Sequence, residues 1–203
     1  MEKLVELYRK WAGSAPANVE KLAGAGSNRA YYRLTDSEGK TVIGVIGTSR
    51  DENHAFIYLA KHFAKRQLPV PHVLAVSVDE MCYLQTDLGV ISLFDAIRGG
   101  REAGGRYNLA EQELLRKTIK ELPNFQLRGA RGLDYSYCYP QAEFNEESVL
   151  FDLNYFKYCF LKATEIDFHE LKLQANFRMF AKDLTSEKIE AFQYRDFQAR
   201  NVM

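Results

Sequence analysis

The apolar positions in the first half of the chain change from helical spacing to short β-like runs. Leu4, Leu7 and Tyr8 share one face of a helix that Gly13 suits as a stop. Two runs rich in β-branched and aromatic residues then flank Asp36–Gly39, which predicts a hairpin. The predicted elements are, in order, a helix over residues 2–12, strands over 30–35 and 41–46, a helix over 53–66, and strands over 73–78 and 81–86.

Beyond residue 89 the pattern becomes helical. It predicts helices over residues 92–97, 110–122, 146–162 and 165–181. Five aromatic side chains of the predicted helix over residues 146–162 fall at helical spacing and are predicted to pack in a core: Phe151, Tyr155, Phe156, Tyr158 and Phe160. Four glycines lie among charged residues in the stretch 98–106, which is predicted to be a mobile surface loop.

Strands come first along this chain and helices later, which is typical of the α+β class. We therefore predict a small strand-rich lobe over residues 1–87 and a helical lobe over residues 88–203. A connector near residues 85–89 joins them.

Composition narrows the partners and the compartment. The 203 residues are 46% hydrophobic, and 27 basic side chains balance 27 acidic ones. A net charge of zero without long runs of one sign argues against nucleic acid or an anionic membrane as a partner. The N-terminus is charged rather than signal-like, no apolar stretch is long enough to span a bilayer, and the three cysteines lack metal-ligand spacing. A cytoplasmic location is predicted.

The most informative segment is Tyr194–Met203, in which an Arg-Asp pair is followed five residues after the Asp by an Asn. Phosphoryl transfer from a nucleotide to a hydroxyl needs a carboxylate that accepts the hydroxyl proton and a neutral oxygen ligand for Mg²⁺. Asp196 suits the first role and Asn201 the second. An ordinary polar turn is the alternative interpretation.

A second candidate lies between the first helix and the hairpin. Gly24 and Gly26 would let backbone N–H groups approach nucleotide phosphates, and Ser27 and Asn28 offer side-chain donors. Arg29 stands where the protein-kinase pattern has its third glycine. A plain tight turn also accounts for this segment.

In the order of these elements the chain resembles the aminoglycoside phosphotransferase and choline kinase family, whose members are small-molecule kinases with the protein-kinase fold. Within that family it is most similar to bacterial kinases of cell-wall amino sugars such as N-acetylmuramate and N-acetylglucosamine. The segments that carry the resemblance are residues 26–34, 69–75, 84–89 and 194–201.

The resemblance implies a function and a set of roles. Asp196 would be the catalytic base and Asn201 a Mg²⁺ ligand, while the backbone from Gln85 to Asp87 would form the hinge that hydrogen-bonds adenine. ATP and Mg²⁺ would bind between the lobes, beneath residues 24–28. The acceptor would be the hydroxyl of a small molecule, a sugar or an amino sugar.

One departure from the family pattern concerns the cation that holds the phosphates. The predicted strand over residues 41–46 contains no lysine, although most kinases place one there. Lys40, Arg29 and Arg50 are the candidates to replace it. Glu52 is the nearest candidate for the ion-pair partner of that cation, although an acid at a helix N-terminus also has an ordinary surface role.

A second departure lies at the end of the sequence. Kinases of this fold use a further metal-binding Asp beyond the catalytic loop, and only two residues follow Asn201. We expect a truncated fragment of a larger enzyme, with negligible kinase activity alone and a possible fused downstream domain. The alternatives are a non-catalytic kinase-like module that binds a nucleotide, a sugar or a protein partner, and a purely structural α+β domain.

Overall fold

The structure is a computed structural model that describes residues 1–23, 28–187 and 191–203. Contacts divide the chain into two compact units. The first comprises residues 1–140 together with 194–203, and the second comprises residues 141–193. The boundary that the sequence predicts near residue 87 falls inside the first unit.

A five-stranded antiparallel sheet forms the centre of the first unit. Its strands are β1 (Asn18–Lys21), β2 (Ala30–Thr35), β3 (Thr41–Ile46), β4 (Val73–Val76) and β5 (Cys82–Thr86). Their order across the sheet is β1-β2-β3-β5-β4. The predicted hairpin is confirmed by the pairing of β2 with β3, and the sheet with its flanking helices confirms the α+β class. The short edge strand β1, where one of four residues is partly buried, was not predicted.

Helix α1 (Glu2–Ala12) covers one face of the sheet. Leu4 and Tyr8, one helical turn apart, are buried against Leu34 of β2 and Leu84 of β5. Gly13 ends the helix in the left-handed region at φ 80°, which costs glycine little because it has no Cβ. The predicted helix over residues 2–12 is therefore confirmed.

Gly44 in the middle of β3 makes the close approach of α1 possible. A Cβ atom at this position would lie 2.6 Å from a Leu34 methyl carbon and 2.8 Å from Leu4 Cδ1. No side chain fits in that space, so the glycine that weakens strand propensity is required by packing.

Helix α2 (Arg50–Lys65) covers the opposite face of the sheet. It begins three residues before the predicted start at Asn53, because Ser49 caps it by accepting a hydrogen bond from the Glu52 amide. On this face Ile57 packs with Tyr83 of β5, and the Phe56 ring stacks on the Tyr83 ring with centroids 5.0 Å apart.

We expect Leu84→Ala to lower the free energy of unfolding by about 3 kcal/mol, because Leu84 is fully buried and its loss leaves a cavity beneath α1. Chemical denaturation followed by circular dichroism measures this change. Leu109→Ala is the control, since the Leu109 side chain is 81% exposed, and it should change stability by less than about 0.5 kcal/mol. Equal losses in the two variants would contradict the assignment of Leu84 to the core.

In the described part of the first unit, three α-helices follow the sheet: α3 (Leu93–Ala96), α4 (Arg98–Glu102) and α5 (Leu109–Pro123). The prediction of a mobile loop over residues 98–106 is wrong for its first half, which forms α4. Two contacts order this segment: Glu111 Oε1 accepts the Gly100 amide at 2.9 Å, and Gly100 lies so close to the Tyr107 ring that a Cβ would collide with it. Glycine is thus a packing requirement here rather than a sign of flexibility.

The second unit contains α6 (Glu146–Phe156), which continues as a π-helical turn over Lys157–Leu161, and α7 (Glu170–Leu184). The prediction that the aromatic side chains of this segment form a core is wrong, since each is between 44% and 70% exposed: Phe151, Tyr155, Phe156, Tyr158 and Phe160. A pair of helices buries only the stripe along which they meet, here around Val149, Phe177 and Ala181. Within the described ranges, no helix of either unit has the length and apolar character needed to cross a membrane.

Candidate functional site

Asp196 and Asn201, the two residues of the predicted catalytic loop, lie against each other. Asn201 donates its side-chain amide to Asp196 Oδ2 at 2.8 Å and to the Asp196 backbone carbonyl at 3.1 Å. Gln198 donates its side-chain amide to the other carboxylate oxygen, Oδ1, also at 2.8 Å. Both Asp196 and Asn201 are exposed, so a ligand in solvent can reach this pair.

Contacts with the rest of the first unit hold this loop at both ends. At its end, the Val202 carbonyl accepts the Leu93 amide at 2.7 Å, which ties the loop to the start of α3. At its start, the Tyr194 ring meets the edges of the Phe125 and Phe197 rings at centroid distances of 5.4 and 5.3 Å. Burial raises the pKa of Tyr194 above its ordinary value. The Tyr194 ring therefore packs as an aromatic wedge at the start of the loop.

The donor set of this loop suits one part of a Mg²⁺ site. Mg²⁺ takes oxygen ligands, and in nucleotide sites it is held by one or two protein groups together with phosphates and water. The Asn201 amide nitrogen faces Asp196, which leaves the amide oxygen as a neutral ligand. Among the described residues no group of three or more His, Cys, Asp or Glu side chains forms a complete metal site.

Three residues of the predicted glycine segment lie outside the described residues: Gly24, Gly26 and Ser27. Asn28 is described and exposed. Arg29 is 12% exposed and reaches α2, where its Nη2 lies 3.0 Å from Glu52 Oε1 and donates to the Glu52 carbonyl at 3.1 Å. Its guanidinium also lies over the Phe56 ring, 5.4 Å from the centroid.

The three candidates for the phosphate-binding cation differ in their ion-pair partners. Lys40 pairs with Glu38 in the exposed hairpin turn, with 2.7 Å between Nζ and Oε2. Arg50 pairs with Glu80, also near the surface. Only Arg29 pairs with Glu52, so Glu52 is more than a surface acid at a helix N-terminus. The Arg29–Glu52 ion pair thus joins the residue before β2 to the first turn of α2.

The predicted hinge residues lie at the end of β5. Gln85 pairs with Ile43 of β3 on one side and with Val73 of β4 on the other, and its side-chain Oε1 is buried without a hydrogen bond in the described ranges. Next to it, the Thr86 amide already donates to the His72 carbonyl at 3.0 Å. Adenine recognition by this backbone stays a prediction.

Asp87, the third hinge residue, forms a buried clamp with Arg33 of β2. Its carboxylate accepts Arg33 Nε at 2.6 Å and Nη2 at 3.2 Å, and the Asp87 side chain is only 7% exposed. Arg33 also donates to the Gly89 carbonyl, and the Gly89 amide donates to Asp87. The Arg33 guanidinium holds the pKa of the Asp87 carboxyl below its ordinary value. The sequence gives no local signal for this pair, whose members are 54 residues apart.

The histidines have structural roles in the described chain. His169 caps α7 by accepting the Lys172 amide. His62 is buried: its Nε2 lies 2.8 Å from the Gly129 carbonyl, and burial lowers its pKa. His54 lies 2.9 Å from Glu80.

No protein-family model matches this chain, and none of the curated proteins is significantly similar to it.

Proposed function

We propose that this chain is an ATP-dependent kinase domain that transfers phosphate to the hydroxyl of a small molecule, a sugar or an amino sugar. The observation that carries the proposal is the contact between Asp196 and Asn201 at the exposed surface of an anchored loop. The resemblance to aminoglycoside phosphotransferases and choline kinases gives the acceptor class. The Arg29–Glu52 ion pair on the α2 side of the sheet supports the same interpretation.

In this proposal each residue has one task. Asp196 accepts the proton of the acceptor hydroxyl as that oxygen attacks the γ-phosphorus of ATP, and the bond from this phosphorus to the bridging oxygen breaks, which releases ADP. Asn201 orients Asp196 through its amide nitrogen and offers its amide oxygen to Mg²⁺, which would supply charge neutralisation at the phosphates when bound. Arg29, fixed by Glu52, offers a cation to the phosphates near the glycine segment. The rate gain comes from positioning and electrostatic stabilisation rather than covalent catalysis.

One observation favours a second candidate, a kinase-like module that binds without turnover. Both carboxylate oxygens of Asp196 already accept an amide, one from Gln198 and one from Asn201. In the module these two hydrogen bonds would be the whole task of the carboxylate, which would hold the loop and take no part in proton transfer. Turnover separates the two candidates, because the module would bind a nucleotide, a sugar or a protein partner without transferring phosphate.

We expect ATP–Mg²⁺ to bind this chain, and Arg29→Gln to weaken that binding about tenfold or more, because a charge-assisted hydrogen bond to phosphate is lost. Isothermal titration calorimetry measures both affinities. Arg50→Gln is the matched control, since Arg50 pairs with Glu80 at the surface, and it should leave the affinity within about twofold. Absence of ATP binding to the wild-type chain would overturn the proposed function.

Transfer is then tested with the full-length gene product and a panel of amino sugars, with production of sugar phosphate as the readout. Phosphorylation of a panel member supports the kinase. Nucleotide binding with no transfer to any member would favour the binding module.

A further inference from the structure

Two arginines stack on one phenylalanine beside the candidate catalytic loop. The guanidinium carbon of Arg101, in α4, lies 3.3 Å from the Phe94 ring centroid. The guanidinium carbon of Arg200 lies 3.8 Å from the same centroid. Two planar groups this close to one centroid can only lie on opposite faces of the ring, so Phe94 is held between two like charges.

Neither of these guanidinium groups has an acidic partner in the part of the chain that the structure describes. No carboxylate of the described residues forms an ion pair with Arg101 or Arg200. Arg101 uses one donor, its Nε, which bonds to the Phe94 carbonyl at 3.1 Å, and its Nη groups donate to no described residue. Arg200 donates no hydrogen bond there at all. Arg98, on the same short helix, shows the ordinary arrangement, because Asp95 lies 3.2 Å from its Nη2.

Stacking on Phe94 fixes the orientation of both guanidinium groups but leaves most of their N–H donors without an acceptor in the described ranges. A cation held over an aromatic face gains electrostatic attraction from the ring, and its planar group loses rotational freedom. The remaining N–H donors are left for an acceptor that is not part of the described chain. Two positive charges at this spacing call for a ligand with two negative charges, and a phosphate monoester carries nearly that charge near neutral pH.

We propose that Arg101 and Arg200, stacked on the two faces of Phe94, bind the dianionic phosphate group of a phosphate monoester at the edge of the ring. Guanidinium forks match phosphate oxygens with paired hydrogen bonds, which makes arginine the usual residue for this ligand. A singly charged carboxylate would leave one of the two cations uncompensated.

The position of the arginine pair relates it to the candidate catalytic loop. Arg200 directly precedes Asn201, and the residue before Phe94 holds the end of the loop through the bond between Leu93 and Val202. Neither arginine forms an ion pair with Asp196 in the described ranges, so the proposed phosphate subsite is separate from the carboxylate that the proposed function uses. This inference goes beyond the proposed function, because phosphate binding here does not require transfer to occur.

The test measures binding of inorganic phosphate by calorimetry in a low-chloride buffer, first to the wild-type chain and then to Arg200→Gln and Arg101→Gln. We expect each substitution to weaken phosphate binding at least about tenfold. Arg98→Gln is the control, because Arg98 lies on the same helix and already has Asp95 as its partner, and its affinity should stay within about twofold of wild type. Circular dichroism spectra of all variants show whether they fold. Arg200 makes no hydrogen bond that folding would lose, so its variant keeps the test valid if Arg101→Gln unfolds.

Further titrations identify the ligand. Sulfate, also a dianion, should compete with phosphate, whereas acetate should bind at least about tenfold more weakly. If Arg200→Gln weakens the binding of glucose 6-phosphate as much as it weakens the binding of phosphate, the ligand is a sugar phosphate. If the affinity for ATP is unchanged in Arg200→Gln but falls in Arg29→Gln, the nucleotide binds at Arg29 and not at the arginine pair.

Three results would overturn the inference: equal phosphate affinity in wild type and Arg200→Gln, acetate binding as tight as phosphate, or no phosphate binding to the wild-type chain up to about 10 mM. None of them depends on phosphate transfer or on ATP binding. A failed kinase assay therefore leaves this test intact.

Discussion

Asp87→Ala is expected to lower the free energy of unfolding by about 4 kcal/mol, because it leaves the Arg33 guanidinium buried without its counter-charge. Arg33 is 16% exposed, so water cannot replace the two lost hydrogen bonds fully. Denaturant unfolding at about pH 7 measures the loss, at a pH where the wild-type carboxyl is ionised. Glu38→Ala removes the same type of pair from the surface, where Lys40 is 77% exposed, and should cost less than about 1 kcal/mol.

The pH dependence of this stability follows from the direction of the pKa shift. The folded-state pKa of Asp87 lies below its unfolded value, so the ion pair contributes fully above about pH 4. The contribution is lost as the pH falls through the folded-state pKa. The difference in stability between wild type and Asp87→Ala should therefore shrink in acid. A difference that stays constant from about pH 7 to about pH 3 would contradict the role of the ionised carboxylate.

Asp196→Asn is expected to lower the rate of phosphate transfer by the full-length gene product about a thousandfold, within the usual range for losing a general base. Asparagine has nearly the same shape and can still accept one of the two side-chain amides that Asp196 accepts. The bond from the Asn201 amide to the backbone carbonyl of residue 196 is unchanged, so the loop should keep its form. Affinity for ATP should change less than about threefold, because the proton acceptor acts in the transition state and not in nucleotide binding. Initial rates and calorimetry separate the two effects.

Asp183→Asn serves as the control for this substitution, since Asp183 is an exposed acid of α7. It should leave the transfer rate unchanged. If Asp196→Asn transfers phosphate as fast as wild type, Asp196 is not the base and the mechanism proposed above is wrong.

The sequence predicted the elements of the sheet well because their signals are local. The hairpin of β2 and β3 combines β-branched and aromatic residues with a turn, and α1 combines a single apolar face with a glycine stop. The start of α2 was missed by one turn because the cap, Ser49, lies before the apolar pattern begins. Asp196 and Asn201 meet because their five-residue spacing closes a short loop, which is also a local property.

The errors arose where tertiary packing decides the outcome. The aromatic positions of α6 have the spacing of a buried face, yet one neighbouring helix cannot cover them all. Gly100 resembles a loop glycine, but the Tyr107 ring and the Glu111 carboxylate give it a fixed place in α4. Similarly, Arg29 was one of three equal candidates until its distance to Glu52 distinguished it from the others.

Because α1 and α2 cover both faces of β3, no position in the middle of this strand can hold a positively charged side chain in contact with water. Val42 and Gly44 lie beneath α1, while Ile43 and Val45 lie beneath α2, and all four are buried. An ammonium group on any of these positions would be dehydrated in an apolar layer, at a cost of several kcal/mol. Replacing Ile43 or Val45 by lysine would thus not restore the usual kinase arrangement unless α2 moved outward. A basic residue at the entrance of the neighbouring strand, such as Arg29, keeps its charge at the rim of the sheet and leaves both apolar layers intact.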